Sequence, residues 1–407
     1  MPTAYFDYQS STPVLPEVLE AMAPFWRDVF ASSSALHQQG LRVRDAMAEA
    51  REKTAAMIGA GTAEEVIFTS GGTEAINLAV QGAARAGHRR GRHVVLSGVE
   101  HPAVMRSMEA LSREGYESTK VDVDREGIID PDSVRAALKE ETCLVCVHQA
   151  NHDIGTIQPI ADMASVARER GVPLFVDATS SAGWFPVDVK ALGIGLLAMS
   201  PHRFYGPKGV GVLYRNRRIP LEPILRGGMQ EGEMRAGTEN VAAIVGCGVA
   251  AEWAVRSLEE RRVHTGRLQR EILDGIRANV SHVGLNGPEP GERRSTTNLN
   301  ISVEFVEGEG LALMCDVRGI AVASGASCVS RSLKGSPVLE AIGLDRSLAQ
   351  ANVILSFGAD NTAEERDYFL ETFPKVVEKL RGLSPLWEDF QKGRTGSLLE
   401  SGMKPST

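Results

Sequence analysis

Ser200 to Tyr214 reads SPHRFYGPKGVGVLY. A polar turn, Ser200-Pro201-His202-Arg203, leads into a loop that Gly206, Pro207, Gly209 and Gly211 force to be tight; Val210, Val212 and Leu213 supply its apolar return. Upstream, Pro173 to Ser181 (PLFVDATSS) predicts a short buried strand ending in an acid, Asp177, and small hydroxyl residues. An amphipathic stretch, Val187 to Leu197, lies between the two. Strand, acid, crossover, polar turn and glycine-rich return is how an α/β sheet presents groups at its carboxyl edge. The expected fold class is therefore α/β.

A chain of 407 residues is long enough for one large domain and a smaller one. Hydrophobic residues at 43% and charged residues at 24% are ordinary for a globular protein. A net charge of −8 argues against general binding to nucleic acid or anionic membranes. No apolar run approaches the roughly 18 residues of a spanning helix. MPTAYFDYQS has neither the basic start nor the apolar core of a signal peptide, so a cytoplasmic location is expected. Five cysteines make no disulfide framework. Cys143 and Cys146 form a CxxC inside a strand-like run with no second ligand pair, which favours buried strand thiols over a metal site. Cys247 and Cys315 read as helix packing. Cys328 sits instead among small polar residues, in ASGASCVSRSL from Ala323 to Leu333, a setting that suits a reactive loop thiol.

Taken in order, Tyr5 to Pro13 reads as an extended arm, with helical spacing from Pro16 to Phe30 and from Leu41 to Ile58. Strands are predicted at Val66–Thr69, His93–Ser97, Glu117–Val123, Thr142–His148 and Asn298–Val303. Ser70 to Glu74 (SGGTE) opens a helix over Ala75–Ala86, and a small-residue turn at a helix start offers free N–H groups to an anion. Long helical periodicity runs from Val241 to Asn279. A helix over Ala363–Leu380 has Thr362 as its expected cap. Strands alternating with helices predict a mainly parallel, doubly covered sheet. The expected division is a large domain over 15–260 and a smaller α+β one from 1–14 with 261–392. A polar tail, 393–407, is expected to be disordered.

These stretches together resemble cysteine desulfurases of the NifS/IscS type. Those are fold-type I enzymes of the class-V aminotransferases that depend on pyridoxal phosphate, with a mainly parallel seven-stranded sheet. The resemblance rests on SPHRFYGPKG against the family's SGHKxYGPKG, on Glu100-His101-Pro102, on Asn151-His152-Asp153-Ile154-Gly155 and on the Cys328 loop. It runs from about residue 3 to 393 and implies a role for each matching position. Gly72 and Thr73 would cradle the phosphate with Ser200 and His202, and Thr238 would reach it from a neighbouring subunit. His101 would stack on the pyridine ring and Asp177 would pair with its nitrogen. Cys328 would carry the persulfide or help to ligate a nascent cluster. Homodimers and an iron–sulfur scaffold or other sulfur acceptor are the implied partners, and Ser384–Glu388 matches the segment near the scaffold.

Four positions depart from the pattern. The lysine that bonds the cofactor is Arg203, and a guanidinium stays protonated and cannot form an imine. Lys208 matches a second, loop lysine of the motif. The two partners of the cofactor's phenolic oxygen, an asparagine and a glutamine, are His152 and Ser180. The arginine that binds the substrate carboxylate is Ile354. The expected function is thus a divergent desulfurase-like protein that handles sulfur through Cys328, with the lysine chemistry lost. Two alternatives stand beside it. One is an enzyme that holds pyridoxal or pyridoxamine phosphate non-covalently, with His152 or His202 as base; the other is a catalytically silent subunit paired with an active homologue.

Overall fold

The computed structural model describes residues 3–325 and 336–400. Seven strands form one sheet: β1 (Val66–Thr69), β2 (His93–Ser97), β3 (Glu117–Val121), β4 (Thr142–His148), β5 (Leu174–Asp177), β6 (Leu196–Met199) and β7 (Gly211–Arg215). Their spatial order is β1-β7-β6-β5-β4-β2-β3. Only β7 runs against its neighbours, because the glycine loop after β6 returns the chain as a direct antiparallel partner. Both faces are covered. Val145, Val147, Val176, Leu197 and Val212 enter one core, while Leu144, Cys146, Phe175, Leu196 and Leu213 enter the other. Two buried faces explain why these strands read as unbroken apolar runs. Cys143 and Cys146 are buried strand thiols, as expected.

A second, three-stranded sheet has Asn298–Val303 at its centre, between Asn352–Ser356 and Val283–Leu285, all antiparallel. Phe357, Phe369 and Phe373 fill its core, joined by Phe6 from the N-terminal arm. That arm pairs Ala4–Tyr5 with Ile320–Ala321 and then crosses back over the first sheet. Thr12 marks the crossing: its N–H and hydroxyl both donate to the carbonyl of His202, at 2.9 and 3.0 Å.

Thr362 caps Ala363–Arg381 through a reciprocal pair with Glu365, as its position predicts. Three expectations are corrected. The single helix over Val241–Asn279 is two, Val241–Arg256 and Leu258–Asn279, bent by 71°. At the break the Ser257 hydroxyl bonds the Trp253 carbonyl, and Arg261 lies over Trp184 and Trp253 while donating to Ala254 and Gly183 carbonyls. The helix placed at Ala75–Ala86 begins at Gly72 and passes through a π-turn at Leu78–Gly82. The tail is ordered over 393–400. Ser397 donates to Glu304 Oε2 at 2.6 Å, and the N–H groups of Leu398 and Leu399 donate to Oε1, so a buried carboxylate holds the polar segment down.

Candidate functional site

The carboxyl ends of β1, β2, β4, β5 and β6 open on one side, and the chain places a polar segment at each. β1 runs into Ser70–Thr73, β2 into Glu100-His101, β4 into Asn151–Asp153, β5 ends on Asp177, and β6 runs into Ser200–Arg203. A cavity of ≈ 440 Å³ lies there, lined among others by Gly72, Thr73, His101, Ser200, His202 and Arg203. Six of the sequence-derived positions therefore share one pocket.

One end is a tight cradle. A Cβ on Gly72 would meet Thr179 Cγ2 at 2.8 Å and Ser200 Cβ at 3.2 Å, and one on Gly211 would strike the backbone of Gly71 at 2.2 Å. The turn is tied down by Glu74, whose Oε2 accepts from Ser70 N–H at 2.7 Å and whose Oε1 pairs with Arg235 at 2.9 Å. Burial opposes ionisation of Glu74, but Arg235 and Ser70 outweigh it and hold the carboxyl below its ordinary range. His202 lines the same cavity, and its buried Nδ1 has no hydrogen-bond partner among the described residues. A buried donor or acceptor without a partner is costly, so a ligand oxygen there would satisfy it.

Asp177 ends β5 at the same sheet edge; it is buried and does not itself line the cavity, whereas Thr179 does. Its Oδ1 accepts from the N–H and hydroxyl of Thr179 at 2.9 and 2.7 Å, which leaves Oδ2 to meet a ring nitrogen. His101 caps the helix Pro102–Ser112, its Nδ1 accepting from Ala103 N–H at 3.1 Å. That bond fixes the proton on Nε2. The ring of His152 stands edge-on to it, with centroids 5.1 Å apart. The turn carrying His152 is clamped from a distance: Gln9 donates to the His152 carbonyl, while Asn298 and Asn300 donate to that of Asp153. Gly155 closes it at φ 71°, where a Cβ would also meet Asn298 Oδ1 at 2.8 Å.

Arg203 lines the same cavity. It closes a 3₁₀ turn, its N–H bonded to the Ser200 carbonyl at 3.0 Å and its own carbonyl accepting from Trp184 Nε1 at 2.9 Å. Tyr205, two residues on, is held at φ 68° and buried, with its hydroxyl accepting from Ala359 N–H. A non-glycine residue there persists only because its surroundings fix it, and the effect is a rigid seat for Arg203. Its Nη1 reaches Ser180 Oγ at 3.4 Å. Two positions changed from the motif, Arg203 and Ser180, thus touch each other.

Burial, then the Arg203 guanidinium with neighbouring groups, keeps three imidazoles neutral. His101 and His202 are each pushed down to about 4 from an ordinary 6.5, and His152 is lowered by burial, with His148 and Arg203 adding to it against Asp153. The unfolded chain binds these protons and the folded one does not, so stability is full above about pH 6.5 and falls as pH drops toward 4. The expected loss is up to about 3 kcal/mol each for His101 and His202. Urea midpoints of the wild type and His202→Gln between pH 6.5 and 5 check this: the wild type should lose stability faster, and parallel profiles would refute it.

Other expected positions lie apart. Thr238 lines an adjoining cavity that shares Ser70, Gly209 and Val210 with this one. Ile354 is buried in its strand, 7% exposed, where the motif has a substrate-binding cation. Cys328 lies outside the described residues. Three features were not anticipated. Ser10 and Ser11 line the pocket, brought in by the arm. Thr179 orients Asp177, which the spacing Asp-Ala-Thr signals, since a hydroxyl two residues on can bond an acid. Lys208, read as a loop lysine, is exposed and lines the same cavity.

A sequence model described as Aminotransferase class-V matches residues 4–369. The chain is 41% identical over 387 residues to a protein named cysteine desulfurase IscS from Dictyoglomus turgidum, covering 95% of this chain and 98% of that one. It is 42% identical over 392 residues to one of the same name from Anaeromyxobacter dehalogenans, covering 96% of each. Among solved structures, a NifS-like protein superposes with a TM-score of 0.87 at 32% identity, covering 93% of this chain and all of that one.

Proposed function

We propose a function for this chain from one premise: it belongs to the cysteine desulfurase family of class-V aminotransferases, with their fold-type I architecture. That family depends on pyridoxal phosphate, and the relatives' names support a role in sulfur mobilisation for iron–sulfur assembly. The residues present fit the cofactor's non-covalent contacts. The Gly72 cradle and the unpartnered His202 Nδ1 suit a phosphate, and the Asp177 oxygen left over by Thr179 suits a ring nitrogen. They do not fit its covalent anchor, because Arg203 stands there.

The protein accordingly holds pyridoxal or pyridoxamine phosphate non-covalently, and the standard lysine chemistry is lost. Arg203 on the pocket wall is the single observation that carries this. When bound, the cofactor supplies an electron sink for bonds to a substrate carbon. Thr73, Ser200 and His202 would hold its phosphate, Asp177 would pair with its ring nitrogen, and His101 would cover the ring. Sulfur passes through Cys328. Its thiolate attacks the outer sulfur of a donor persulfide, the donor S–S bond breaks, the donor thiolate leaves, and the sulfur and its proton remain on Cys328. The acceptor is an iron–sulfur scaffold or similar protein in the cytoplasm, and the chain works as a homodimer in which Thr238 reaches the partner's phosphate.

A second reading gives proton transfer to His152 or His202. Both rings are held neutral, so each presents a free lone pair, at the reduced basicity that burial imposes.

Titration with pyridoxal phosphate tests the main reading. Binding should saturate, be fully removed by dialysis, and weaken about tenfold or more in His202→Ala, which removes a charge-assisted bond to phosphate. Failure of the wild type to bind, or a dialysis-resistant complex, would refute it.

A further inference from the structure

Resting on the binding of a phosphate at the Gly72 cradle, one further role follows from an acid that a phosphate pocket has reason to avoid. Glu74 lines the cavity beside Gly72 and Thr73, and it is the only acid among the described residues that do so. Its side chain is 11% exposed. Two negative charges in such a setting oppose each other far more than they would in water. A phosphate can be held there only if the Glu74 charge is answered and turned aside.

Arg235 does both. Its Nε donates to Glu74 Oε1 at 2.9 Å and its Nη2 to Oε2 at 3.5 Å, the two-pronged fit of a guanidinium on a carboxylate. Ser70 N–H also donates to Oε2, at 2.7 Å, so both oxygens are engaged within the protein. Burial opposes the charge on Glu74, and Arg235 with Ser70 holds it ionised. Arg235 does not line this cavity. It lines the adjoining one of ≈ 210 Å³, which shares Ser70, Gly209 and Val210 with the first, and so it reaches Glu74 from behind. The other acids of that second cavity are occupied. Glu231 accepts from Arg51 Nη1 and Nη2 at 2.6 and 2.7 Å and from Phe68 N–H at 2.9 Å, and Glu239 accepts from the Ser33 hydroxyl at 3.0 Å. The Glu231 bonds pin the loop that carries Arg235 to β1, which presets the guanidinium for Glu74.

We propose that Arg235 is a positioning residue for the phosphate end of the cavity: it cancels the negative charge of Glu74 and keeps that carboxylate turned onto Ser70 N–H. Affinity for a phosphate ester is therefore set in part by a charge pair whose cation stands outside the ligand's own pocket. The consequence separates this role from a purely structural ion pair. Breaking a structural pair from either side does the same damage. Here the two sides have opposite effects, because loss of Arg235 leaves a bare carboxylate facing the phosphate, whereas loss of the Glu74 charge leaves a cation near it.

The experiment is a calorimetric titration of the full-length protein with pyridoxine 5′-phosphate, which has no aldehyde and can bind only non-covalently. Arg235→Met should weaken binding about thirtyfold, and Glu74→Gln, whose amide oxygen can still accept from Ser70 N–H, should tighten it about threefold. The double variant should return to within about threefold of the wild type, since the two effects act on one another. Arg235→Lys, which keeps the charge and loses the fork, should also stay within about threefold of it. Melting curves establish which variants are folded; if Arg235→Met is not, Glu74→Gln decides alone, because it breaks the same pair. Weakening by Glu74→Gln as large as that by Arg235→Met would show that the pair only shapes the turn and would overturn the proposal, as would unchanged affinity in Arg235→Met. A wild type that does not bind the ester overturns this role together with phosphate binding at the cradle. A pyridoxal phosphate complex that resists dialysis overturns the non-covalent reading alone.

Discussion

Arg203→Lys is expected to restore a covalent cofactor bond yet leave sulfide release from cysteine at least about a hundredfold below that of a fully reverted variant. The first half follows from chemistry, since a lysine amine can be deprotonated and a guanidinium cannot. Borohydride reduction in the presence of pyridoxal phosphate should leave no adduct on the wild type and a stoichiometric one at position 203 of the variant. If the wild type does carry an adduct, Lys208 is the residue to examine, because it is exposed and lines the same pocket. The second half follows from what remains changed. His152 and Ser180 stand where the resemblance puts partners of the cofactor's phenolic oxygen, and Ile354 replaces a carboxylate-binding cation. Removing a strong hydrogen bond or ion pair costs on the order of 1–3 kcal/mol. Three such changes at the low end total about 3 kcal/mol, or a factor of about a hundred in rate. The reference is the quadruple variant Arg203→Lys, His152→Asn, Ser180→Gln and Ile354→Arg. Ile354 is buried, so the last change brings a guanidinium into an apolar strand; the adduct at position 203 is read independently of it. Sulfide release by the single variant at the rate of a lysine-bearing relative would overturn the argument.

Most of the large sheet was legible because two covered faces make its central strands continuous apolar runs, bounded by glycine and polar turns. Val66–Thr69, His93–Ser97 and Thr142–His148 lie where those runs are. The pocket was legible because its groups follow strand ends, where position in the chain and position in space coincide. What the chain order concealed were contacts between distant segments. Ser10 and Ser11 enter the site only because the arm pairs with Ile320–Ala321 and binds the Ser356 hydroxyl through Gln9 N–H. The break at Ser257 is invisible to periodicity, since residues on both sides keep helical spacing and the bend comes from a hydroxyl and Arg261 taking the carbonyls. The 393–400 segment reads as loose because it is polar, but its partner is the buried carboxylate of Glu304. Composition alone cannot show that a polar segment has a polar seat.

The contact between Arg203 and Ser180 bears on how the site diverged. Two substitutions that looked independent along the chain meet at 3.4 Å, and His152, the third, stands edge-on to His101. A missing lysine by itself would leave a damaged version of the old site. Here the arginine sits on a turn fixed by Trp184 and the left-handed Tyr205, with the Ser180 hydroxyl in contact, so the position is packed around the new side chain.

Cys328 should be the thiol that reacts first, and by a wide margin. The other four cysteines are buried. Burial pushes Cys143 up to about 11, Cys247 and Cys315 to about 12, and Cys146 well above its ordinary value. At pH 8 a thiol titrating near 11 is ionised to about one part in a thousand, whereas one with the ordinary value near 8.5 is ionised to about a quarter. Only the thiolate attacks, so the thiolate fraction alone favours an ordinary thiol by at least two orders of magnitude. Cys328 lies outside the described residues, and its sequence setting, ASGASCVSRSL, is mostly small and polar. A limiting alkylating agent should therefore label Cys328 before any other cysteine. A small persulfide donor should load sulfur there with or without pyridoxal phosphate. Cys328→Ser should abolish both while leaving the melting temperature unchanged. Mass spectrometry of the loop peptide before and after donor treatment reads the outcome directly. Sulfur found on Cys143, Cys146, Cys247 or Cys315 instead would refute the relay, and undiminished support of cluster assembly by Cys328→Ser would assign the chain to the silent-subunit role.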